Sequence, residues 1–147
     1  MFINVNLSND LDLWQVAAKT MLFSLHVRCL SLLYDSKRGA NHALHVDDLW
    51  LWGPRILGVS LKSDAFFTFF EPSNEILVRV KLRRRSAYLI NGLCRVHWQH
   101  GLLAEDILGP RVAITFRELT EEVAASDLGR EALQRARMVA EKLSSQP

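Results

Sequence analysis

A chain of 147 residues is about one domain long, and folding at that size buries roughly 68–70% of the surface of the extended chain. With 49% hydrophobic and 23% charged residues, 7 Gly and 4 Pro, the composition is globular and excludes a disordered, collagenous or repeat chain. The net charge of 18 − 16 = +2 is too small for the one-signed field of a dedicated nucleic-acid binder.

Residues 1–14 hold Asp10 and Asp12 but no Lys or Arg, unlike a secretory leader. The apolar stretch 20–27 falls far short of the ~20 residues that cross a bilayer. Two cysteines, Cys29 and Cys94, show no C-x-x-C spacing, so neither a disulfide framework nor a thiolate zinc knuckle is expected. From these features the chain is expected in the cytoplasm or nucleus. Ser8-Asn9-Asp10 offers a helix N-cap, and Leu13, Ala17, Met21 and Leu25 recur at fourfold spacing, which predicts a helix within residues 1–33. The pattern then changes. Residues 55–61, 65–70, 75–82, 86–90 and 111–119 are short β-prone runs separated by Gly, Pro, Asn and Ser, as in an antiparallel sandwich or barrel. In the third run Ile76, Val78, Val80 and Leu82 alternate with Glu75, Leu77, Arg79 and Lys81, so one face is apolar. Residues 127–143 return to helical spacing through Leu128, Ala132, Ala136, Val139 and Leu143.

His45-Val46-Asp47 places an imidazole and a carboxylate two residues apart, on one face if the segment is a strand. Such a pair offers two metal ligands, and His100, in Trp98-Gln99-His100-Gly101, is the candidate third. Two His and one carboxylate on one side of iron(II) leave adjacent positions open, the geometry of non-haem iron oxygenases. Arg111 and Arg117 share a face of the last strand, opposite Val112, Ile114 and Phe116. Were that face to look inward, the buried guanidinium groups would need an anion, which a dicarboxylate satisfies by charge-assisted hydrogen bonds. Zinc also suits His and carboxylate ligands, which keeps a hydrolase open, though it leaves Arg111 and Arg117 without a use.

Tyr34, the run from His45 through Asp47, Asp48, Trp50, Trp52 and Gly53 to Arg55, then Trp98-Gln99-His100, then Arg111 to Leu119 together resemble the AlkB family of 2-oxoglutarate- and iron-dependent dioxygenases. The likeness is strongest to the branch of its fourth homologue, through H-x-D-D-x-W-L-W-G and T-F-R-E-L. The resemblance implies a mainly β, double-stranded β-helix (jelly-roll) core over residues 30–123. A divergent helical segment, 1–29, precedes it and a C-terminal helix, 124–147, follows. It implies iron(II) on His45, Asp47 and His100, and 2-oxoglutarate with its distal carboxylate on Arg111 and Arg117 in a pocket completed by Tyr34. It further implies oxidative removal of N-methyl groups, most directly from methyl-lysine on a protein such as actin, alternatively from N6-methyladenine in DNA. A binding or scaffold protein that keeps the metal motif without turnover is a different class of outcome. Two departures stand out. Leu32 occupies a position that is often Asn in the wider family, and residues 1–29 match none of the longer, Cys-rich N-terminal region of that branch, so the chain reads as N-terminally shortened.

Several other residues admit two uses. Asp48 is a substrate contact or a surface acid, and Trp50 and Trp52 are an aromatic wall for a methylated cation or simple packing. Lys81 through Arg85 is a phosphate contact or a solvated turn. His42 and His97, each three residues before a proposed ligand, are expected to be bystanders, and Cys94 a small buried residue.

Overall fold

Alternation of apolar and polar side chains runs through much of residues 27–119. In the computed structural model, which describes residues 27–144, it yields eight strands among the described residues. They are β1 (Val27–Tyr34), β2 (His42–His45), β3 (Trp52–Leu61), β4 (Ala65–Glu71), β5 (Ile76–Leu82), β6 (Ser86–Ile90), β7 (Gln99–Leu102) and β8 (Arg111–Leu119). The α-helices described are α1 (Gly92–Val96), α2 (Glu121–Ala125) and α3 (Asp127–Ser144). None is long and apolar enough to cross a membrane.

One antiparallel sheet has the order β1-β8-β3-β6 and the other β2-β7-β4-β5. From β3 onward the chain passes repeatedly from one sheet to the other, which is the jelly-roll expected from the sequence. Ile56, Phe67, Phe69, Leu82, Leu102 and Ala113 fill the space between the sheets, and burying each of the larger apolar side chains contributes about 1.5–3 kcal/mol. The alternation in β5 holds for Val78, Val80 and Leu82, turned inward, and Leu77, Arg79 and Lys81, exposed, but Ile76, expected on the apolar face, is exposed at the start of the strand. On β8, Arg111, Ala113 and Thr115 are buried, while Ile114 and Phe116 join Leu57, Val59 and Ala87 in a second apolar cluster.

The helix expected within residues 1–33 does not extend to 27–33, which form most of β1. Every residue from Val27 to Tyr34 finds a partner on β8, from Val27 opposite Glu118 to Tyr34 opposite Arg111. The fourfold stripe ends at Leu25, so nothing in the local pattern competes with that pairing. The rest of the expected N-terminal helix lies outside the described residues. At the other end α3 supplies the C-terminal helix. α2 precedes it, capped by the Thr120 hydroxyl, which accepts from the Val123 N–H at 3.3 Å.

The connection from β7 to β8 is pinned to the second sheet. Asp106, buried in a 3₁₀ turn (Ala104–Asp106), accepts from the Thr68 hydroxyl at 3.2 Å and pairs with Arg79, which stacks on Phe66. That clip fixes where β8 begins, and with it Arg111.

Candidate metal centre

His45 and His100 lie directly opposite each other in the β2–β7 ladder, with ring centroids 4.6 Å apart. The ladder slips by one residue between His42 and His45, and a bulge of that kind lets residues three apart face the same way. The His42 ring consequently stands 4.2 Å from that of His45 and lines a pocket with Asp47 and His100, although it is not one of the three converging donors. Gly101 makes this crowding feasible, because a Cβ there would come within 2.7 Å of the His42 carbonyl oxygen.

Asp47 lies past the end of β2, so it reaches the histidines through a turn of the chain and not through strand alternation. Its Oδ1 is 3.9 Å from His45 Nε2 and its Oδ2 is 3.6 Å from His100 Nε2. One donor atom from each of His45, Asp47 and His100 falls within 4.8 Å of the others. Ligands bound at about 2.0–2.2 Å to one ion stand about 3–3.5 Å apart, so a small inward rotation of these side chains would complete a coordination site. The ring nitrogens also suit a metal. His45 Nδ1–H donates to the Ala43 carbonyl at 2.8 Å, which leaves the Nε2 lone pair facing Asp47. His100 presents Nε2 to Asp47, while its Nδ1 is buried without a hydrogen-bond partner among the described residues.

The electrostatics prepare the same donors. Burial alone would raise the Asp47 carboxyl, but the His100 imidazole 3.6 Å away and the adjacent Arg117 guanidinium outweigh it and hold the group well below the usual carboxylate range. Burial pushes the His100 imidazole below its ordinary 6.5, against the pull of Asp47. His42 is lowered too, first by burial and then by its histidine neighbours. A charged carboxylate and a neutral imidazole are the forms that bind metal.

Arg117 is committed to Asp47. Its Nε donates to Oδ2 at 3.3 Å and its Nη2 lies 3.1 Å from Oδ1, while the guanidinium stands 5.8 Å from the centre of the Trp52 ring. Arg111 is different. It is 2% exposed, makes no ion pair among the described residues, and is held by the Ser60 hydroxyl, which accepts from Nε at 3.2 Å. The Tyr34 ring lies 5.4 Å from its guanidinium carbon. Tyr88 also lines this pocket, although no motif in the sequence singles it out. Its place depends on Gly58, where an added Cβ would lie 2.0 Å from Tyr88 Cζ, so only glycine lets that ring cross β3. Burial raises both phenols, and Arg111 opposes the rise in each.

The remaining candidates scatter. Asp48, Leu49 and Trp50 are exposed on the turn after Asp47, whereas Trp52 opens β3 beside Arg117. His97 is exposed, Cys94 is buried, and Arg83 to Arg85 form an exposed turn.

No protein-family model matches the chain. A DNA N6-methyl adenine demethylase of Caenorhabditis elegans is 32% identical over 94 residues, 64% of this chain and 32% of that protein. The alpha-ketoglutarate-dependent dioxygenase alkB homolog 4 of Mus musculus is 30% identical over 140 residues, 72% of this chain and 47% of the relative. Its Homo sapiens counterpart is 28% identical over 137 residues, 70% and 45% respectively. The chain thus spans about a third to a half of the length of the curated relatives it matches. The solved structure of OsALKBH1 overlaps 61% of this chain and 48% of its own at a TM-score of 0.49 and 20% identity. With the two alkB homolog 4 sequences aligned over most of its length, the chain is a member of the AlkB family.

Proposed function

We propose that the chain carries the core of an iron(II)- and 2-oxoglutarate-dependent dioxygenase that removes N-methyl groups by oxidation. One observation carries this reading: a single pocket between the sheets is lined by Asp47 and His100 of the metal triad and by Arg111, a buried cation without an acidic partner among the described residues. His45, Asp47 and His100 would hold iron(II), which would supply oxygen activation coupled to conversion of 2-oxoglutarate to succinate and carbon dioxide.

The side chains do the placing. Arg111 takes the distal carboxylate of the co-substrate through charge-assisted hydrogen bonds, and the phenols of Tyr34 and Tyr88 add O–H donors. Arg117 holds the Asp47 carboxylate in one orientation. Phe67 and Phe69 stand 5.6 and 6.3 Å from the His100 ring and keep water from that side.

For the substrate, the reading is a methyl-lysine on a protein, with actin the candidate that the family resemblance offers. The exposed groups next to the metal ligands are Asp48, Leu49 and Trp50, an acid and an aromatic suited to an alkylammonium. The Arg83–85 turn, which would suit phosphates, sits at the far end of β3, where the Arg85 N–H donates to the Ser60 carbonyl at 2.7 Å. N6-methyladenine in DNA is the second reading, favoured by similarity to the relative named for that activity. Incubation with iron(II), 2-oxoglutarate and ascorbate against methyl-lysine peptides and N6-methyladenine oligonucleotides separates the two. Formaldehyde with the peptide supports the first, formaldehyde with the oligonucleotide alone supports the second, and none with either contradicts the demethylase assignment.

A further inference from the structure

Arg95, on α1, is 1% exposed, yet no carboxylate pairs with it among the described residues. Its partners are main-chain carbonyls. Nη1 donates to Asp47 O at 2.9 Å, Nη2 to Asp48 O at 3.2 Å and Trp52 O at 3.0 Å, and Nε to Gly53 O at 3.2 Å. A buried guanidinium is costly unless its donors are met, and here a single segment meets four of them. Those carbonyls come from the two ends of residues 47–53, the turn between β2 and β3 and the first two residues of β3, and the closing bond of that turn is Trp52 N–H to Asp48 O at 3.0 Å. Among the described residues no strand partner holds Asp47 or Asp48, so Arg95 supplies the fixity that a ladder would have given.

Resting on the metal-site reading above, we infer that Arg95 is a positioning residue for the metal carboxylate. It clamps the main chain of Asp47 from the side of α1, while Arg117 and His100 hold the carboxylate itself. The clamp needs a planar fork that reaches several carbonyls at once, and a lysine ammonium, whose donors radiate from one atom, cannot span them. Removing the fork would leave the carboxylate attached to a looser turn, and metal affinity would fall through geometry without loss of any ligand.

The test is a cobalt(II) titration of wild type, Arg95→Lys and Arg95→Gln, read by visible absorption of the bound ion and by the metal-induced rise in melting temperature. The expected result is about 10–100-fold weaker cobalt binding in both variants with shifted absorption bands, in chains whose circular dichroism matches wild type. Unchanged affinity and bands, with only the metal-free melting temperature lowered, would overturn the inference and leave Arg95 a purely structural residue. Failure of both variants to fold would overturn it as well. Wild type that takes up no cobalt would instead remove the metal-site reading, and the inference with it.

Discussion

Arg111 and Arg117 look equivalent in the sequence, six positions apart on one strand face, and the structure gives them different partners. Arg117 binds Asp47, and Arg111 has two phenols and a serine around it. Arg111→Ala is therefore expected to weaken 2-oxoglutarate binding by about 1.5–3 kcal/mol, the size of a hydrogen bond to a charged group, with metal affinity little changed. Arg117→Ala is expected to show the reverse, a metal affinity about 10–100-fold lower. Calorimetric titration of each ligand into each variant checks the split, and equal losses of 2-oxoglutarate affinity would put both arginines on the co-substrate. The ligands themselves set a pH dependence. His100 is held below 6.5 and Asp47 below 3.8 in the folded chain, so in acid the unfolded chain binds more protons than the folded one. Stability of the metal-free protein then rises with pH through the window just below 6.5, and falls again as strong acid protonates Asp47. Melting temperatures between about pH 5 and 7.5 should show that rise, and a smaller one in His100→Gln.

Strands with a plain alternation are legible in the amino-acid sequence, and β4, β5, β6 and β8 lie where their apolar periodicity puts them. What could not be read from the chain was set by pairing. β1 depends on β8 for its existence, and the bulge that turns His42 toward His45 depends on which residue of β2 meets Leu102 and His100. Asp47 meets His45 by another route than the one H-x-D suggests: the two side chains converge, but β2 has ended before Asp47 and a turn held by Arg95 delivers the carboxylate. Tyr88 was invisible because its contribution depends on a glycine on the adjacent strand, across from it in the β3–β6 ladder. Gly58→Ala tests that dependence. The new methyl would sit 2.0 Å from Tyr88 Cζ, displacing the ring at an expected cost of about 1–3 kcal/mol in stability together with weaker 2-oxoglutarate binding. A variant as stable as wild type with unchanged affinity would show that Tyr88 can leave the pocket freely.

Both sheets contribute to the site: β2 and β7 bring the histidines, and β1, β3, β6 and β8 bring Tyr34, Ser60, Tyr88 and the arginines. Metal on the one sheet and co-substrate against the other would tie the two together, so ligands should stabilise the whole fold. Metal at 100 times its dissociation constant would add about 2.7 kcal/mol, a rise of roughly 5–10 °C in melting temperature for a domain of this size, reversed by a chelator. The most direct measurement of the account is succinate formed from 2-oxoglutarate by the purified chain with iron(II), oxygen and ascorbate as reductant, in the absence of any methylated substrate. Wild type is expected to form succinate and His100→Ala, folded, to form none. No succinate from folded wild type that binds iron(II), or undiminished succinate from His100→Ala, would contradict it.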